Sequence, residues 1–517
     1  MIAEKSKLSS LALPCIVWIL VVAWRPWVTG FYHDDWAVFV HVSQSNIPNI
    51  FLEQASRPIY ALALVSLALI LPLDPFYYQV ALVVITAVCS ASVGLLAKTI
   101  ASYFVANSAT ALWSGSLAAS FWLAAPWGLG FSVWPTTFAA QISVIGFCII
   151  GIVILGTSTT RSKLLKALPI FVGISLISEL FWLSFIPLII LLVAIGGGPF
   201  HLKKPKDIIV VLSGFVVAQF ILVMFNRGIA YVGASIDRSF NYSFFDTALL
   251  SIRLLPSEIL NSVVFPDILG IAIVIFLFGL FAFVSFYEKR AQVFLVLIAI
   301  AVGCLTSIIL FALAHYRIQS TGVFSRTTVV ITLWLVLIPA VSWAVVEKCK
   351  HHVKFFVFSI LIGFLVIFSF SSIYNLQSWV RSWKFQTDLL DRFPAENLIE
   401  QAEYDAFILV DAVKPENSVE GLEAFWDLGG ALLVRYPALQ ARIAREVIPG
   451  RPRRFATMLN RNNMQTTWDG VEIVQSWCHS PDIALWRLPA PTEVYLWSHA
   501  SRRLSRLENP TNLGCEK

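Results

Sequence analysis

The sequence predicts an all-α polytopic membrane protein of about eleven transmembrane helices, followed by a small α/β or α+β domain. The chain has 517 residues, of which 58% are hydrophobic and only 13% are charged. In soluble domains about a quarter of all residues are charged. Most of this chain must therefore face lipid or other apolar helices. Apolar stretches of about twenty residues recur up to residue 373, and each is long enough to cross about 30 Å of hydrocarbon.

The basic residues indicate topology rather than a nucleic-acid partner. The formal net charge is +6, but the lysines and arginines are spread over short loops, where they decide which side of the membrane a loop occupies. Lys5 and Lys7 precede the first apolar segment, so its amino end is expected in the cytoplasm. This segment ends in Trp-Arg-Pro-Trp at 24–27 without a small-residue cleavage site, which favours a retained anchor.

Two segments decide how the chain is threaded. As a helix, 58–71 reaches only about 21 Å, which predicts an interfacial or re-entrant helix rather than a span. The apolar run 167–195 contains Glu179, and a hairpin of two short spans turning there keeps the lysines at 203–206 inside. The remaining predicted spans are 8–28, 76–97, 108–125, 134–156, 208–226, 264–287, 291–314, 327–346 and 353–373.

This threading puts the amino terminus inside and the carboxyl-terminal domain outside. It divides the chain into a transmembrane domain, 1–375, with a long outer loop at 29–75, and a soluble extracytoplasmic domain, 376–517. Apolar runs at Tyr404–Val410, Val471–Val474 and Ile483–Leu488 predict strands, and 420–446 is more helical in pattern. Cys478 and Cys515 would lie in an oxidising space, where they could form a disulfide.

Asp34 and Asp35 are the candidate catalytic residues, because two adjacent carboxylates at the mouth of a span are costly to hold near lipid. One could take a proton from a hydroxyl, while the pair could also hold a divalent cation such as Mg or Mn. His33 and Trp36 flank them as supporting residues. The alternative is a helix cap, in which aspartate accepts backbone N–H groups.

Arginines on the predicted outer face are candidate phosphate ligands. Arg57 stands before Pro58 at a helix start, where a cation opposes the helix dipole, which suggests an anion partner or simple snorkelling. Arg317 and Arg326 border a short outer loop with His315 as a supporting residue, although outer-leaflet arginines can also bind lipid headgroups. Glu179 is a further supporting residue, or else a plain polar turn.

Three tryptophans lie at and after the end of the predicted span 108–125. Trp122, Trp127 and Trp134 lie in a stretch that also holds two prolines. Tryptophan is enriched at membrane interfaces, so an interfacial belt is expected here, with stacking on a sugar ring as the second interpretation.

The order of these motifs resembles that of the GT-C superfamily of membrane glycosyltransferases. Asp34-Asp35 matches the acidic motif of the first outer loop, Arg57-Pro58 falls where relatives open an interfacial helix, and Trp134-Pro135 lies near a motif after the third span. Ser178-Glu179 is similar to the Lys-Glu of some relatives, but serine replaces the lysine and no second aspartate follows span 3. The bacterial relatives of protein O-mannosyltransferases and the lipid A aminoarabinose transferase are the most similar in pattern, over about 1–375.

The resemblance implies an inverting glycosyltransferase in a bacterial inner membrane. Its donor would be a polyprenyl-phosphate-linked sugar, and its acceptor an extracytoplasmic glycan, lipid or protein. One carboxylate of the acidic pair would act as base, while Arg57, Arg317 or Arg326 would steady the leaving phosphate. A non-enzymatic flippase for a lipid-linked glycan, and a scaffold whose outer domain recruits partners, remain alternatives.

Overall fold

The structure is a computed structural model. It describes residues 2–32, 35–36, 38–39, 57–156, 160–177, 181, 183–195, 205–231, 244–285, 287–314, 316, 318–321, 323–392, 406–410, 430–431, 434–435, 455–459, 464–470, 472–478, 480–489, 493–498, 503–508 and 511–513.

Helices dominate the chain up to residue 392. The α-helices are α1 Ile2–Val21, α2 Pro58–Ile70, α3 Pro75–Ala101, α4 Ser108–Ala124, α5 Leu129–Val133, α6 Phe138–Leu155, α7 Thr160–Ile177, α8 Phe185–Ile195, α9 Pro205–Tyr231, α10 Phe244–Asn261, α11 Pro266–Ser285, α12 Arg290–Leu313, α13 Val329–Leu335, α14 Leu337–Val345 and α15 His351–Arg392. Short 3-10 helices occur at Arg25–Trp27, Pro126–Gly128, Pro135–Thr137, Val323–Thr328 and Val346–Lys348.

The structure confirms a polytopic helical membrane protein. In its described part, eight helical stretches are long and apolar enough to cross a membrane: Ser9–Trp27, Pro75–Ala101, Pro135–Leu155, Lys206–Met224, Pro266–Ser285, Arg290–Leu313, Ser325–Lys348 and His351–Arg392. A ninth arises if Ser108–Ala124 and Pro126–Val133, which meet at a 60° bend, are one broken span.

The predicted total of eleven spans counts both arms of the 167–195 hairpin, α7 and α8, as crossings and stays a prediction. The 167–195 run is broken, as expected, because α7 ends at Ile177 and α8 begins at Phe185. However, α8 has only 11 residues, about 17 Å of helix, which is short for a crossing. The 58–71 segment forms the 13-residue helix α2, close to its predicted bounds.

Local sequence signals explain where several helices begin. Proline occupies the first position of α3, α9 and α11, where its missing N–H has no intrahelical partner to lose. Asn107 caps α4, since its side-chain oxygen accepts a hydrogen bond from the Ala109 N–H at 2.9 Å. Farther along the chain, the buried Lys163 ammonium joins α7 to α9 by donating to Asp207 Oδ2 at 2.7 Å and to the Ile154 carbonyl at 2.7 Å.

The predicted small domain with strands is also confirmed. Its strands are β1 Ala406–Val410, β2 Phe455–Leu459, β3 Met464–Trp468, β4 Glu472–Trp477, β5 Ser480–Pro489, β6 Glu493–Ser498, β7 Arg503–Leu507 and β8 Thr511–Leu513. One mixed sheet has the order β2-β1-β6-β7, with β1 parallel to both neighbours and β6 antiparallel to β7. The other, β5-β4-β3-β8, is antiparallel throughout. Cys478 is disulfide-bonded, while Cys515 lies outside the described residues.

The chain divides into two compact units. The first comprises Met1–Val28, Phe51–Leu64 and Tyr78–Gln377, and the second comprises Thr29–Ile50, Val65–Tyr77 and Ser378–Lys517. The predicted boundary at residues 375 and 376 falls inside the 42-residue helix α15.

Candidate functional site

The first unit contains a buried stretch of non-continuous helix, residues 126–137, which we call the bent segment. It consists of the turn Pro126–Gly128, the short helix α5 and the turn Pro135–Thr137. Proline lacks the N–H that would continue a preceding helix, and both turns begin with one. All residues from 114 to 141 are buried, so this irregular backbone is enclosed by protein.

Side-chain donors from five parts of the chain satisfy the backbone of the bent segment. Lipid offers no hydrogen bonds, so backbone carbonyls that leave the helical pattern need partners from the protein. The bonds are Tyr60 Oη to Thr136 O at 3.0 Å, Gln79 Nε2 to Val133 O at 2.8 Å, Arg25 Nη1 to Ser132 O at 3.2 Å, Gln141 Nε2 to Phe131 O at 2.8 Å and Thr328 Oγ1 to Trp127 O at 2.6 Å.

Arg25 is a buried cation that holds the bent segment to the end of α1. Its side chain is 1% exposed, and its guanidinium also donates to Ser132 Oγ at 2.9 Å and to the Val21 carbonyl at 2.9 Å. Because the planar guanidinium donates to three oxygen atoms, both its position and its orientation are fixed. Arg25 therefore acts as a structural clamp.

Arg326 is held against the same segment by its neighbour Ser325 and by Trp134. It belongs to the turn Val323–Thr328, where Ser325 Oγ accepts the Gly130 N–H at 2.7 Å. The Arg326 guanidinium carbon lies 4.7 Å from the Trp134 ring centroid and 5.5 Å from that of Tyr316. Aromatic faces attract a cation, and the side chain remains partly exposed. The two aromatic rings hold the Arg326 guanidinium in a fixed position.

Arg57 precedes α2, and a residue of that helix, Tyr60, contacts the bent segment. The Arg57 carbonyl accepts the Ala61 N–H at 2.9 Å, which makes Arg57 the residue that opens this helix. One turn on, Tyr60 is tied to Thr136. Arg57 is partly exposed, so the structure attaches the elements that carry Arg57 and Arg326 to one buried scaffold.

The second unit contains Asp35, which together with the described residues 29–32, 36 and 38–39 we call the acidic turn. Asp35 is 0% exposed. Its Oδ2 accepts the Tyr32 N–H at 2.8 Å, while its own N–H donates to the Tyr32 carbonyl at 3.0 Å. The Asp35 carboxylate that reaches back three residues to a backbone N–H forms one half of a capping box, while the second bond is an ordinary backbone turn, so the helix-cap interpretation describes Asp35 in part.

Aromatic and amide groups of α15 anchor the acidic turn. Trp36 Nε1 donates to Gln386 Oε1 at 2.7 Å, and Gln386 Nε2 donates to the Phe31 carbonyl at 3.2 Å. The Trp36 ring is stacked on Trp383 with centroids 6.1 Å apart. A Cβ at Gly30 would lie 2.1 Å from the Trp383 ring, so only glycine fits there.

Tyr32 completes this anchor. Its hydroxyl donates to the Trp379 carbonyl at 3.0 Å and accepts the Gly30 N–H at 3.3 Å, and its ring meets Trp379 edge-on at 4.8 Å. Burial raises the pKa of the Tyr32 phenol well above its usual range, and the nearby Asp35 charge adds to the shift. The phenol is therefore held in its neutral form.

Several predicted site residues lie outside the described residues: His33, Asp34, Glu179, His315 and Arg317. Within the part of the chain that is described, no three His, Cys, Asp or Glu side chains converge as metal ligands. With only Asp35 of the acidic pair described, the divalent cation stays a prediction.

One interpretation of the sequence is wrong. Trp122, Trp127 and Trp134 are 3%, 4% and 0% exposed, so they do not form an interfacial belt. They pack inside the protein instead; the Trp127 ring meets Phe368 at 5.0 Å, and its Nε1 donates to Thr332 Oγ1 at 3.0 Å. The tryptophans next to prolines therefore belong to a buried, bent part of the helical chain and not to a membrane surface.

Sequence reasoning also missed the residues that support both regions. These are the clamp and amide donors of the bent segment and the anchors in α15: Arg25, Gln79, Gln141, Trp379, Trp383 and Gln386. A signal existed for the glutamines, since Gln79 and Gln141 stand alone among apolar residues near helix starts. A polar side chain in such a place is costly in lipid and indicates a specific partner.

The comparisons with known proteins give structural likenesses only. No family model and no curated protein sequence matches the chain. Solved structures similar to it include ArnT from Cupriavidus metallidurans bound to undecaprenyl phosphate, with 13% sequence identity and a TM-score of 0.38, over 86% of this chain and 81% of that one. At this TM-score the likeness is loose.

Proposed function

We propose that this protein is an inverting GT-C-type glycosyltransferase that moves a sugar from a polyprenyl-phosphate donor to an extracytoplasmic glycan, lipid or protein acceptor. The observation that carries the proposal is Arg326, a partly exposed residue whose guanidinium is held over two aromatic rings on a buried scaffold. The order of sequence motifs adds support. The protein would sit in a bacterial inner membrane, with its amino terminus inside and its last domain in the periplasm.

The chemistry is a single displacement. The acceptor hydroxyl oxygen forms a bond to the anomeric carbon as the bond from that carbon to the phosphate oxygen breaks. The hydroxyl proton passes to a carboxylate, and polyprenyl phosphate leaves as an anion. Because negative charge grows on the leaving phosphate, fixed cations lower the barrier, and Arg57, Arg317 and Arg326 have this role in the proposal. The product has the opposite anomeric configuration to the donor.

Within the acidic pair, we assign the base to Asp34 and a positioning role to Asp35. Asp35 is buried and already accepts the Tyr32 N–H, so its carboxylate shapes the turn. We also assign supporting roles to His33, Trp36, Glu179 and His315, as the sequence predicts. A divalent cation, Mg or Mn, would be held by the acidic pair, where it would offset the charge of the departing phosphate.

Substitutions at the acidic pair test the assignment. Asp34→Asn removes a base and should lower transfer by about 10²- to 10⁴-fold without changing thermal stability. Asp35→Asn keeps an oxygen that can accept the Tyr32 N–H, so it should retain most activity. The assay is mass spectrometry of polyprenyl-linked sugars in a strain that lacks the gene and carries each variant. Full activity of both variants would remove the mechanism, and loss in Asp35→Asn alone would reverse the assignment.

Arg326 is tested with a charge-matched series. Arg326→Gln should raise the KM for the lipid-linked donor by about tenfold to a hundredfold, the loss expected for a hydrogen bond to a charged group. Arg326→Lys should recover only part of this, since lysine lacks the planar fork. Arg253→Gln, at an exposed arginine of α10, is the matched control. Equal effects at both positions would show a general electrostatic influence and no specific phosphate contact.

A further inference from the structure

A groove separate from the regions above lies among α1, α3 and α4 of the first unit. Its volume of about 490 Å³ is within the range of small-molecule sites. Wall residues come from all three helices, and several of them are exposed at its opening, including Leu11, Cys15, Ala91 and Leu95. Each of these helices belongs to a candidate span, so the opening faces the lipid side of the protein.

Two glycines form part of the groove's lining where α3 and α4 cross. A Cβ at Gly94 would lie 2.9 Å from the Gly115 carbonyl oxygen, and one at Gly115 would lie 2.6 Å from the Gly94 carbonyl oxygen. The helices therefore touch through backbone at this point. Small neighbours such as Ala87 and Ala119 also line the groove, so space remains where larger side chains would fill it.

The groove presents an apolar surface although it contains serines. Ser90 Oγ donates to the Ala119 carbonyl at 3.0 Å, and Ser116 Oγ donates to the Leu112 carbonyl at 3.1 Å. These hydroxyls are turned to the backbone. A hydrocarbon chain suits such walls better than a sugar, which needs hydrogen-bond partners.

Length and charge indicate which hydrocarbon ligand fits. On α3 the groove runs from Ala87 to Lys98, about 16 Å of helix, close to half of the roughly 30 Å hydrocarbon layer. At its end stands the exposed ammonium of Lys98, which forms no ion pair within the described part of the chain. A cation at one end of a leaflet-length apolar groove complements a lipid with an anionic headgroup.

We propose that this groove binds one acyl chain of an anionic phospholipid, drawn from the leaflet at which Lys98 lies, with the Lys98 ammonium on the lipid phosphate. The lipid occupies the gap that the Gly94–Gly115 crossing leaves open. This role is independent of the sugar-transfer proposal.

Native mass spectrometry of the full chain in detergent tests the site. Phosphatidylglycerol should remain bound to the wild type in preference to phosphatidylethanolamine, and Ala91→Phe, which fills the groove from its exposed side, should abolish this binding. Lys98→Gln should weaken retention of phosphatidylglycerol about fivefold, the effect of one basic residue near a charged lipid. Val88→Phe and Lys166→Gln, both at exposed positions outside the groove, are controls that should bind as the wild type does.

The native thiol of Cys15 gives a measurement that needs no substitution. It is free, exposed and in the groove wall, so phosphatidylglycerol should slow its modification by a maleimide, read by peptide mass spectrometry. The proposal is overturned if Ala91→Phe retains the lipid with an unchanged melting temperature. It is equally overturned if polyprenyl phosphate protects Cys15 and phosphatidylglycerol does not, or if the groove proves to be the contact between two copies of the chain.

Discussion

The bent segment and the acidic turn are both irregular backbone, but different forces hold them. In the bent segment, polar side chains from distant helices donate to one carbonyl after another, as with Gln79 and Gln141. In the acidic turn, the hydrogen bonds around Asp35 are local, and α15 supplies the long-range contacts through its aromatic rings and through hydrogen bonds to Gln386 and to the Trp379 carbonyl. Backbone enclosed among membrane helices must find internal donors for its carbonyls, whereas the acidic turn combines local hydrogen bonds with aromatic packing.

Removing the amide donors should affect the molecule most. Gln79→Leu and Gln141→Leu each leave a buried carbonyl without its partner, which should lower the free energy of unfolding by about 1–3 kcal/mol per site. Thermal unfolding in detergent measures this. Gln219→Leu is the matched control, because the Gln219 side-chain nitrogen is buried without a hydrogen bond in the described part of the chain. Stability equal to the wild type in both glutamine variants would show that these hydrogen bonds do not stabilise the bent segment.

A methyl group at Gly30 should destabilise the acidic turn, because it would overlap the Trp383 ring. Gly30→Ala places a Cβ against the Trp383 ring and should cost about 1–3 kcal/mol, as overpacking does. The double variant Gly30→Ala/Trp383→Leu should recover part of that loss, which a thermal unfolding series can show. Gly173→Ala, where a Cβ meets nothing within 4 Å, is expected to be neutral or stabilising. Absence of rescue would mean that Trp383 is not the obstacle.

Loss of one indole donor should have a smaller effect. Trp36→Phe keeps a ring beside Trp383 but removes the hydrogen bond to Gln386, a change of about 1 kcal/mol. Trp343→Phe is the control, since the Trp343 indole nitrogen has no partner among the residues described. If both variants unfold at the same temperature, the Trp36–Gln386 bond does not stabilise the turn.

The smallest effect is expected at alkaline pH. Because the pKa of Tyr32 is raised in the folded chain, the unfolded chain loses this proton first, above about pH 10, and stability then falls as pH rises. Below that pH the folded and unfolded states bind the same proton and no change is expected. Tyr32→Phe should therefore flatten the decline in melting temperature above about pH 10. The slopes are compared, since the variant also loses the bond to the Trp379 carbonyl; identical slopes would contradict the prediction.

The same contrast explains what the sequence could predict. Apolar length predicted the spans, and the shortness of 58–71 predicted α2 almost to the residue. The interruption at Glu179 predicted the break between α7 and α8. These are local properties, readable from a window of about twenty residues. The run at Tyr404–Val410 likewise became β1.

The supports of the candidate site depend on contacts that no window contains. Trp36 and Gln386 are 350 positions apart, and Gln79 meets a carbonyl 54 positions away. The acidic pair stood out because charge is rare in apolar sequence, but the cap geometry of Asp35 depends on its own turn. The interpretation of the three tryptophans was wrong for a related reason. An indole ring suits both a membrane surface and a packed interior, and only the observed burial distinguishes these two environments.

One further consequence follows from α15. Trp379, Trp383 and Gln386 are spaced by four and three residues on an uninterrupted helix, so they project along a single stripe. Inserting or deleting one amino acid between them would rotate the later members by about 100°, out of phase with the earlier ones. This stretch should consequently accept many replacements at its outward positions while rejecting every change of length.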